Sequence, residues 1–471
     1  MPEQGNWFVV FAILGWPVVA LGAYLFRPAL EATAWTIVGS LLFLPSNAGI
    51  KFDMVPAIDK SLVSAMSAFV GCAILIKRPK VVPIGLGVFP FLILLYVLGP
   101  LFTSLSNGDT LVYGPVVLPG VGMYDGTSAS ITQLITFFPF LLGQRYFQGD
   151  RAVQVILRVL VIAGLIYSVL MLIEIRVSPQ LSLWLYGYLP STYVAEMRYG
   201  GFRPVVFMQN GLAAAFFLMT ALIAAVVFWR GSSVSGKSTR AAIVGYLFVV
   251  LLLCKSAGAM IYAIACGPIV RFAGPRMQTI LAALIVIICL LYPLFRIAAY
   301  IPEENILGVS SFFNQERAES LGFRFEQEKQ IMARTAERLI FGWGRYGRNR
   351  VYDENGKDVS VTDGAWIITL SQFGIVGFLG QFGLLGLPVF WAFRAIKRDQ
   401  VRGEEQLPLA GLALIVSISL MEQIPNASIS SWTWLLSGVL LGRSQRLLRR
   451  RFSSTSAIRA AHINRSLHQT G

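Results

Sequence analysis

Histidine is almost missing from this 471-residue chain: His462 and His468, the two present, both lie in the C-terminal tail. That excludes a histidine-based zinc site, or a histidine base, in the body of the protein. Charge is scarce too, at 13% of residues, where soluble domains carry about a quarter. A soluble globular class is excluded on that ground. The four cysteines, Cys72, Cys254, Cys266 and Cys289, fall within or at the ends of apolar runs. They show neither a disulfide framework nor metal-ligand spacing. Walker, HExxH and serine-elbow motifs are missing, as are internal repeats and heptads. Gly342-x-Gly344-x-x-Gly347 matches a dinucleotide fingerprint by letters but follows a helix instead of a strand. No metal and no cofactor is expected.

What the chain has in abundance is apolar sequence, 55% of residues. Runs of the length that crosses about 30 Å of hydrocarbon fall near 7–26, 33–46, 60–76, 81–104, 127–147, 152–177, 207–229, 241–254, 257–270, 277–297, 366–393, 407–424 and 428–443. The run at 33–46 and the pair at 241–270 are short, so the expectation is an all-α, polytopic membrane helix bundle of 12–13 transmembrane helices. The first run lacks a basic leader and a clean small-residue cleavage site, and reads as a retained span. Basic clusters at 77–80, 145–151, 230–240, 271–276, 394–402 and 443–451 fall in alternate connections. The positive-inside rule places them in the cytoplasm of a bacterial inner membrane. The net charge of +15 is then explained by topology and anionic lipid, without nucleic acid. Four regions follow: an N-terminal bundle at 1–297, a large periplasmic loop at 298–365, C-terminal spans at 366–445 and a basic cytoplasmic tail at 446–471.

The long loop is where polar chemistry concentrates. Helix signals run from Asn314, a plausible N-cap, to Leu339, with Gly342 beyond the end. On that helix Arg317, Arg324, Glu328, Ile331 and Arg338 share one stripe, and a Gly-rich turn carrying Arg345 follows. Residues 353–358 read as an exposed loop tip. Guanidinium groups make bidentate, permanently charged contacts that suit pyrophosphate oxygens. Arg324 is the leading candidate, since apolar neighbours would dock its helix while one polar face looks into a cavity. Arg198 and Arg203 flank Gly200-Gly201 at the mouth of a span; they read either as interfacial snorkelling or as a second anion clamp. Asp363, just before a span, reads as an N-cap, as a base accepting a proton from an attacking hydroxyl, or as both. Lys255 sits on the outer face, against the positive-inside pattern. Glu174 and Glu422, near outer helix ends, read as interfacial residues or as cavity acids, the interfacial reading being favoured.

Three stretches together resemble the O-antigen ligase and polysaccharide polymerase superfamily of membrane glycosyltransferases. They are Arg203-Pro204 through Gln209-Asn210-Gly211, the turn Lys255-Ser256-Ala257, and the loop from Arg324 through Phe341-Gly-Trp-Gly to Asp363, ahead of the span containing Gly374 and Gly377. The resemblance implies transfer of an undecaprenyl-pyrophosphate-linked glycan onto an acceptor sugar at the periplasmic face, without a nucleotide sugar. Arginines would hold the pyrophosphate, with Arg324 and Asp363 catalytic and Arg198, Arg203, Lys255, Arg317, Arg338 and Arg345 binding substrate. Ligases of the family carry histidine where this chain has Asp363, which favours a polymerase of repeat units over a ligase. The turn's arginine is absent, with Lys255 beside its place. A flippase and a chain-length regulator are the implied partners, besides membrane lipid. A transporter or flippase reading expects inverted repeats and mid-membrane charges, and the sequence has neither.

Overall fold

The computed structural model describes residues 5–52, 55–75, 87–198, 200–298, 300, 302–313, 315–398, 401 and 403–468; the side chains at 55, 309–310, 312–313, 316–317 and 450–468 lie outside the description. The proposed N-cap Asn314 and the basic cluster at 77–80 therefore fall outside the described residues, as does the side chain of Arg317.

Each of the thirteen apolar runs is helical, the conformation in which a lipid-crossing segment satisfies its own backbone. The first half comprises α1 (Trp7–Phe26), α2 (Ala29–Phe43), the hairpin β1 (Gly49–Phe52) and β2 (Val55–Asp59), α3 (Lys60–Leu75), α4 (Val88–Leu105), the hairpin β3 (Leu111–Tyr113) and β4 (Val116–Leu118), α5 (Met123–Tyr146) and α6 (Ala152–Val177). After the short α7 (Leu181–Tyr186) and α8 (Tyr193–Glu196) come β5 (Met197–Arg198) and β6 (Gly201–Phe202), then α9 (Gly211–Arg230), α10 (Lys237–Leu253), α11 (Ala257–Phe272) and α12 (Pro275–Ile297). The long loop forms α13 (Glu303–Phe313) and α14 (Gln315–Ala336), followed by α15 (Ala365–Gly386), α16 (Pro388–Lys397), α17 (Gly403–Met421) and α18 (Ser431–His468).

Among the described residues, eight segments are individually long and apolar enough to cross a membrane: α1, α4, α6, α9, α10 with the turn before it, α12, α15 joined to α16, and α17. The shorter α2, α3 and α11 are apolar as well. An all-α polytopic bundle is thus the architecture, and eight is the number of its helices that qualify individually as spans, against the 12–13 expected. Helices α9 and α17 are buried nearly all round and form the centre, whereas α1 turns most of its apolar side chains outward as a lipid-facing helix does. Helix α18 lies directly against α5. A Cβ on Gly438 would fall 2.1 Å from the Phe140 carbonyl, and one on Gly442 2.4 Å from that of Gln144, the close small-residue crossing used where lipid removes the hydrophobic drive for association.

The feature that positions the long loop is a break in α15 at Gly374, where φ is +65° and ψ −165°. The break frees backbone groups on both sides of the residue, and the chain after α14 supplies partners for them. The Trp343 and Gly344 amides donate to the Ser371 and Gln372 carbonyls, each at 2.9 Å, while the Ile375 and Val376 amides donate to Leu339 and Ile340 at 2.9 and 3.3 Å. Thr103 on α4 adds a hydroxyl donation to the Phe341 carbonyl at 2.6 Å. The expected Gly-rich turn is stitched into a broken helix, with Trp343 4% exposed. The tip at 353–358 is also engaged: Tyr352 pairs with Asp358 and stacks on Tyr113 of β3.

Candidate functional site

The candidate residues gather at the end of the bundle where α4, α12 and α17 finish and α5, α9, α11 and α15 begin. Helix α14 is held there by an ion-pair network. Arg296, at the end of α12, pairs with Glu328 at 3.1 Å and with Glu303 of α13. It also donates to the Phe325 carbonyl at 3.0 Å, and Tyr292 donates to Glu328 at 3.2 Å. Burial pushes the Glu328 carboxyl above its usual range, with Arg296 pulling the other way. This anchor fixes the stripe of α14 that Glu328 shares with Arg324, one turn back, against α15 and the connection after α17.

On that stripe Arg324 meets Asp363 from the far end of the loop, Nε to Oδ2 at 3.3 Å. It also donates a hydrogen bond to the Pro425 carbonyl at 3.2 Å. Asp363 does not cap α15: Gly364 holds the cap position, with no side-chain hydrogen bond. The connection after α17 is fixed from behind, because the Asn426 side-chain Nδ2 donates to the Glu422 carboxylate at 2.6 Å and the Asn426 backbone carbonyl accepts from the Ala365 amide at 3.1 Å. Glu422 is only 6% exposed and Glu174 fully buried, which corrects the expectation of interfacial carboxylates. Glu174 accepts the amides of Leu181, Val205 and Val206 at 3.0, 2.7 and 2.7 Å, and so holds the chain folded inward just before α9.

Counting occupied donors sorts the arginines. A guanidinium has five N–H donors. Arg338 directs one nitrogen to the Ser106 carbonyl, Asn107 and Asp109 and the other to Asp109, at 2.6–3.0 Å. Arg348, 1% exposed, serves Trp343, Asp109 and Pro119 with all three nitrogens. Both are clasps joining the long loop to the β3–β4 loop, and Arg338 sits past the end of α14 instead of on its stripe. Their charge holds the Asp109 carboxyl below its ordinary range, the Arg338 hydrogen bonds foremost. Arg203 makes no more contacts than Arg324 but is closed off by burial: 7% exposed, it pairs with Glu196 at 3.1 Å and donates to the Ala195 carbonyl at 2.6 Å.

Arg324 makes one hydrogen bond, to Pro425, besides its ion pair with Asp363, and with its side chain 34% exposed its other N–H groups can reach a ligand. Arg198 is exposed and donates to the carbonyl of its own neighbour Met197 at 2.6 Å, while Lys255 donates to the Arg198 carbonyl at 3.2 Å. Lys255 thus reaches the backbone of Arg198, whose charge also acts on buried Arg203. Arg345 lies half-buried below the turn, 5.9 Å over the Phe373 ring, with no carboxylate partner among the described residues. The structure thus brings Arg324 and Asp363 together, joins Lys255 to the backbone of Arg198, and assigns Arg203 and Arg338 to holding the fold. Sequence reasoning missed Arg296, Arg348 and the binding partner Asp109. Arg348 carried no spacing signal, and Asp109 lies more than two hundred residues from its arginines.

Two larger cavities open at this end. One, of about 750 Å³, lies on the opposite side of α14 and is lined by Arg296, Glu303, Lys329, Met332 and Leu339 among others. The other, of about 400 Å³, lies among α2, α3, α9 and the α17–α18 connection. The space beside Arg324 and Asp363 is only about 20 Å³, close to the volume of one water. No protein-family model matches the chain, and no curated protein matches it in sequence.

Proposed function

We propose that the protein is a membrane glycosyltransferase that joins lipid-linked oligosaccharide repeat units, using undecaprenyl-pyrophosphate-linked glycan as donor at the periplasmic face. The observation that carries this reading is the Arg324–Asp363 pair: residues from opposite ends of the loop, 3.3 Å apart, partly open to solvent. In this reaction an acceptor hydroxyl attacks the donor's anomeric carbon. The new C–O bond forms as the bond to the pyrophosphate oxygen breaks, Asp363 takes the hydroxyl proton, and undecaprenyl pyrophosphate departs. Charge grows on the leaving pyrophosphate, and the remaining donors of Arg324, held in place by Asp363 and Pro425, are preorganised to meet it. Asp363 holds the guanidinium in place until the pyrophosphate competes for it. The small space beside the pair means that α14 lifts from Ile424 and Pro425 when substrate enters. The same pair also serves a ligase, which differs only in its acceptor; the carboxylate at 363 favours the polymerase.

The test replaces Arg324 with alanine or lysine in the host strain, followed by analysis of lipid-linked products and surface polymer. Loss of long chains with single repeats left on the carrier supports polymerisation. Long chains retained on the carrier indicate a ligase, and normal chain length in R324A refutes the role of the pair.

A further inference from the structure

The 400 Å³ cavity lies within the size range of small-molecule sites, and its chemistry differs from that of the Arg324 site. Its floor is the start of α3. Asp59 caps that helix by accepting the Ser61 and Leu62 amides through Oδ1, both at 2.9 Å, which leaves Oδ2 unused. Lys60 donates one hydrogen to Ser46 Oγ at 2.6 Å and keeps two of its three. Gln209, exposed at the rim just before α9, has no hydrogen-bond partner among the described residues, so both ends of its amide are available. Ser428 and Ser431 close the far wall, beside apolar Met208.

Donors and acceptors are therefore interleaved, and among the described lining residues the one cation, Lys60, directly follows the one carboxylate, Asp59, in sequence. A pyrophosphate only accepts hydrogen bonds and would meet the Asp59 carboxylate. A sugar hydroxyl both donates and accepts, and its ring carbons suit the apolar wall. The cavity is also tied to the Arg324 site through one segment. Pro425 accepts from Arg324, and Ser428, three residues on and so within about 10 Å of chain, is fixed by Gln423, whose carbonyl accepts the Ser428 amide at 2.9 Å.

We propose that this cavity is the acceptor subsite, binding the hydroxyl-rich end of an incoming uncharged glycan while Arg324 holds the donor's pyrophosphate; the proposal rests on the glycosyltransferase reading above. Lys60, Asp59 and Gln209 grip ring hydroxyls, and the 425–428 segment sets the acceptor's distance from Asp363.

The experiment uses the full-length protein in lipid nanodiscs and two probes. One is a short lipid-free oligosaccharide, released by mild acid from the host's own lipid-linked glycan and labelled at its reducing end; the other is undecaprenyl pyrophosphate alone. Gln209→Leu and Lys60→Met are each expected to weaken oligosaccharide binding about tenfold, the worth of one lost hydrogen bond, and to leave the carrier's affinity unchanged. Arg324→Ala is expected to do the reverse. Gln209 is at the rim without a protein partner, so its variant remains informative should Lys60→Met misfold. Oligosaccharide affinity that is immeasurable in the wild type, or unchanged in Gln209→Leu, overturns the subsite and leaves the carrier result standing. Carrier affinity unmoved by Arg324→Ala overturns the enzyme reading instead. Inorganic pyrophosphate that displaces the oligosaccharide in Arg324→Ala, but not in Lys60→Met, would make the cavity an anion site and also overturn the proposal.

Discussion

Replacing Gly374 with alanine tests whether the long loop is built into the membrane bundle or merely laid over it. At φ +65° and ψ −165° the residue occupies a region open in practice to glycine alone, and any other residue there costs about 1–3 kcal/mol of strain. An added Cβ would also stand 2.1 Å from the Ile340 carbonyl oxygen and 2.3 Å from its carbon. Those are backbone atoms, so relief requires the 339–344 turn to move away and give up its four hydrogen bonds to α15. At about 1 kcal/mol per bond, added to the strain, the loss runs from about 3 kcal/mol with half the bonds kept to about 7 kcal/mol with none. Gly245→Ala on α10, where a Cβ meets nothing within 4 Å, is the control; it is expected to be neutral or to gain up to about 1 kcal/mol of helix propensity. Thermal unfolding of the two purified variants in detergent measures the difference, and limited proteolysis reports release of the 342–358 segment. If Gly374→Ala melts with the control and stays resistant to protease, the turn is not held by the break in α15.

Arg338→Ala and Arg324→Ala should separate clasp from site: the first lowers the melting temperature, whereas the second leaves it near wild type and removes the long polymer chains. Equal melting losses would refute the donor-count distinction. Breaking the buried Arg203–Glu196 pair with Arg203→Ala should cost about 3–5 kcal/mol, because Glu196 is left charged and unpaired; a yield and melting curve matching wild type would contradict that. The Asp109 clasp has a definite pH sign. Its folded-state pKa lies below the ordinary 3.8, so its contribution is present above that value and is lost as pH falls through the depressed one. Protease sensitivity of the β3–β4 loop should therefore rise below about pH 4, and Asp109→Asn should remove that dependence.

Much of the fold was legible because the bilayer constrains it so strongly. Apolar runs of spanning length must be helical, and all thirteen are. The candidate site was legible in part: Arg324 and Asp363 stood out as a cation on an amphipathic helix and a carboxylate at a span's start, and they prove to be partners. The arginines around them could not be sorted by sequence. Arg203, Arg338 and Arg324 look alike as letters, and only the positions of Glu196 and Asp109 decide which are spent on the fold. The Phe341-Gly-Trp-Gly turn was visible as glycine-rich, but nothing local says that it enters a gap in α15, since the gap lies thirty residues on and its hydrogen bonds run between distant backbones.

Sequence alone therefore determined the class of molecule, the helical runs and the loop that holds the candidate site, because hydropathy and charge act locally along the chain. Tertiary structure decided which guanidinium keeps donors free, where the loop is anchored and which residues wall the cavity beside Ser428. Those are matters of which distant groups satisfy one another, and packing settles them.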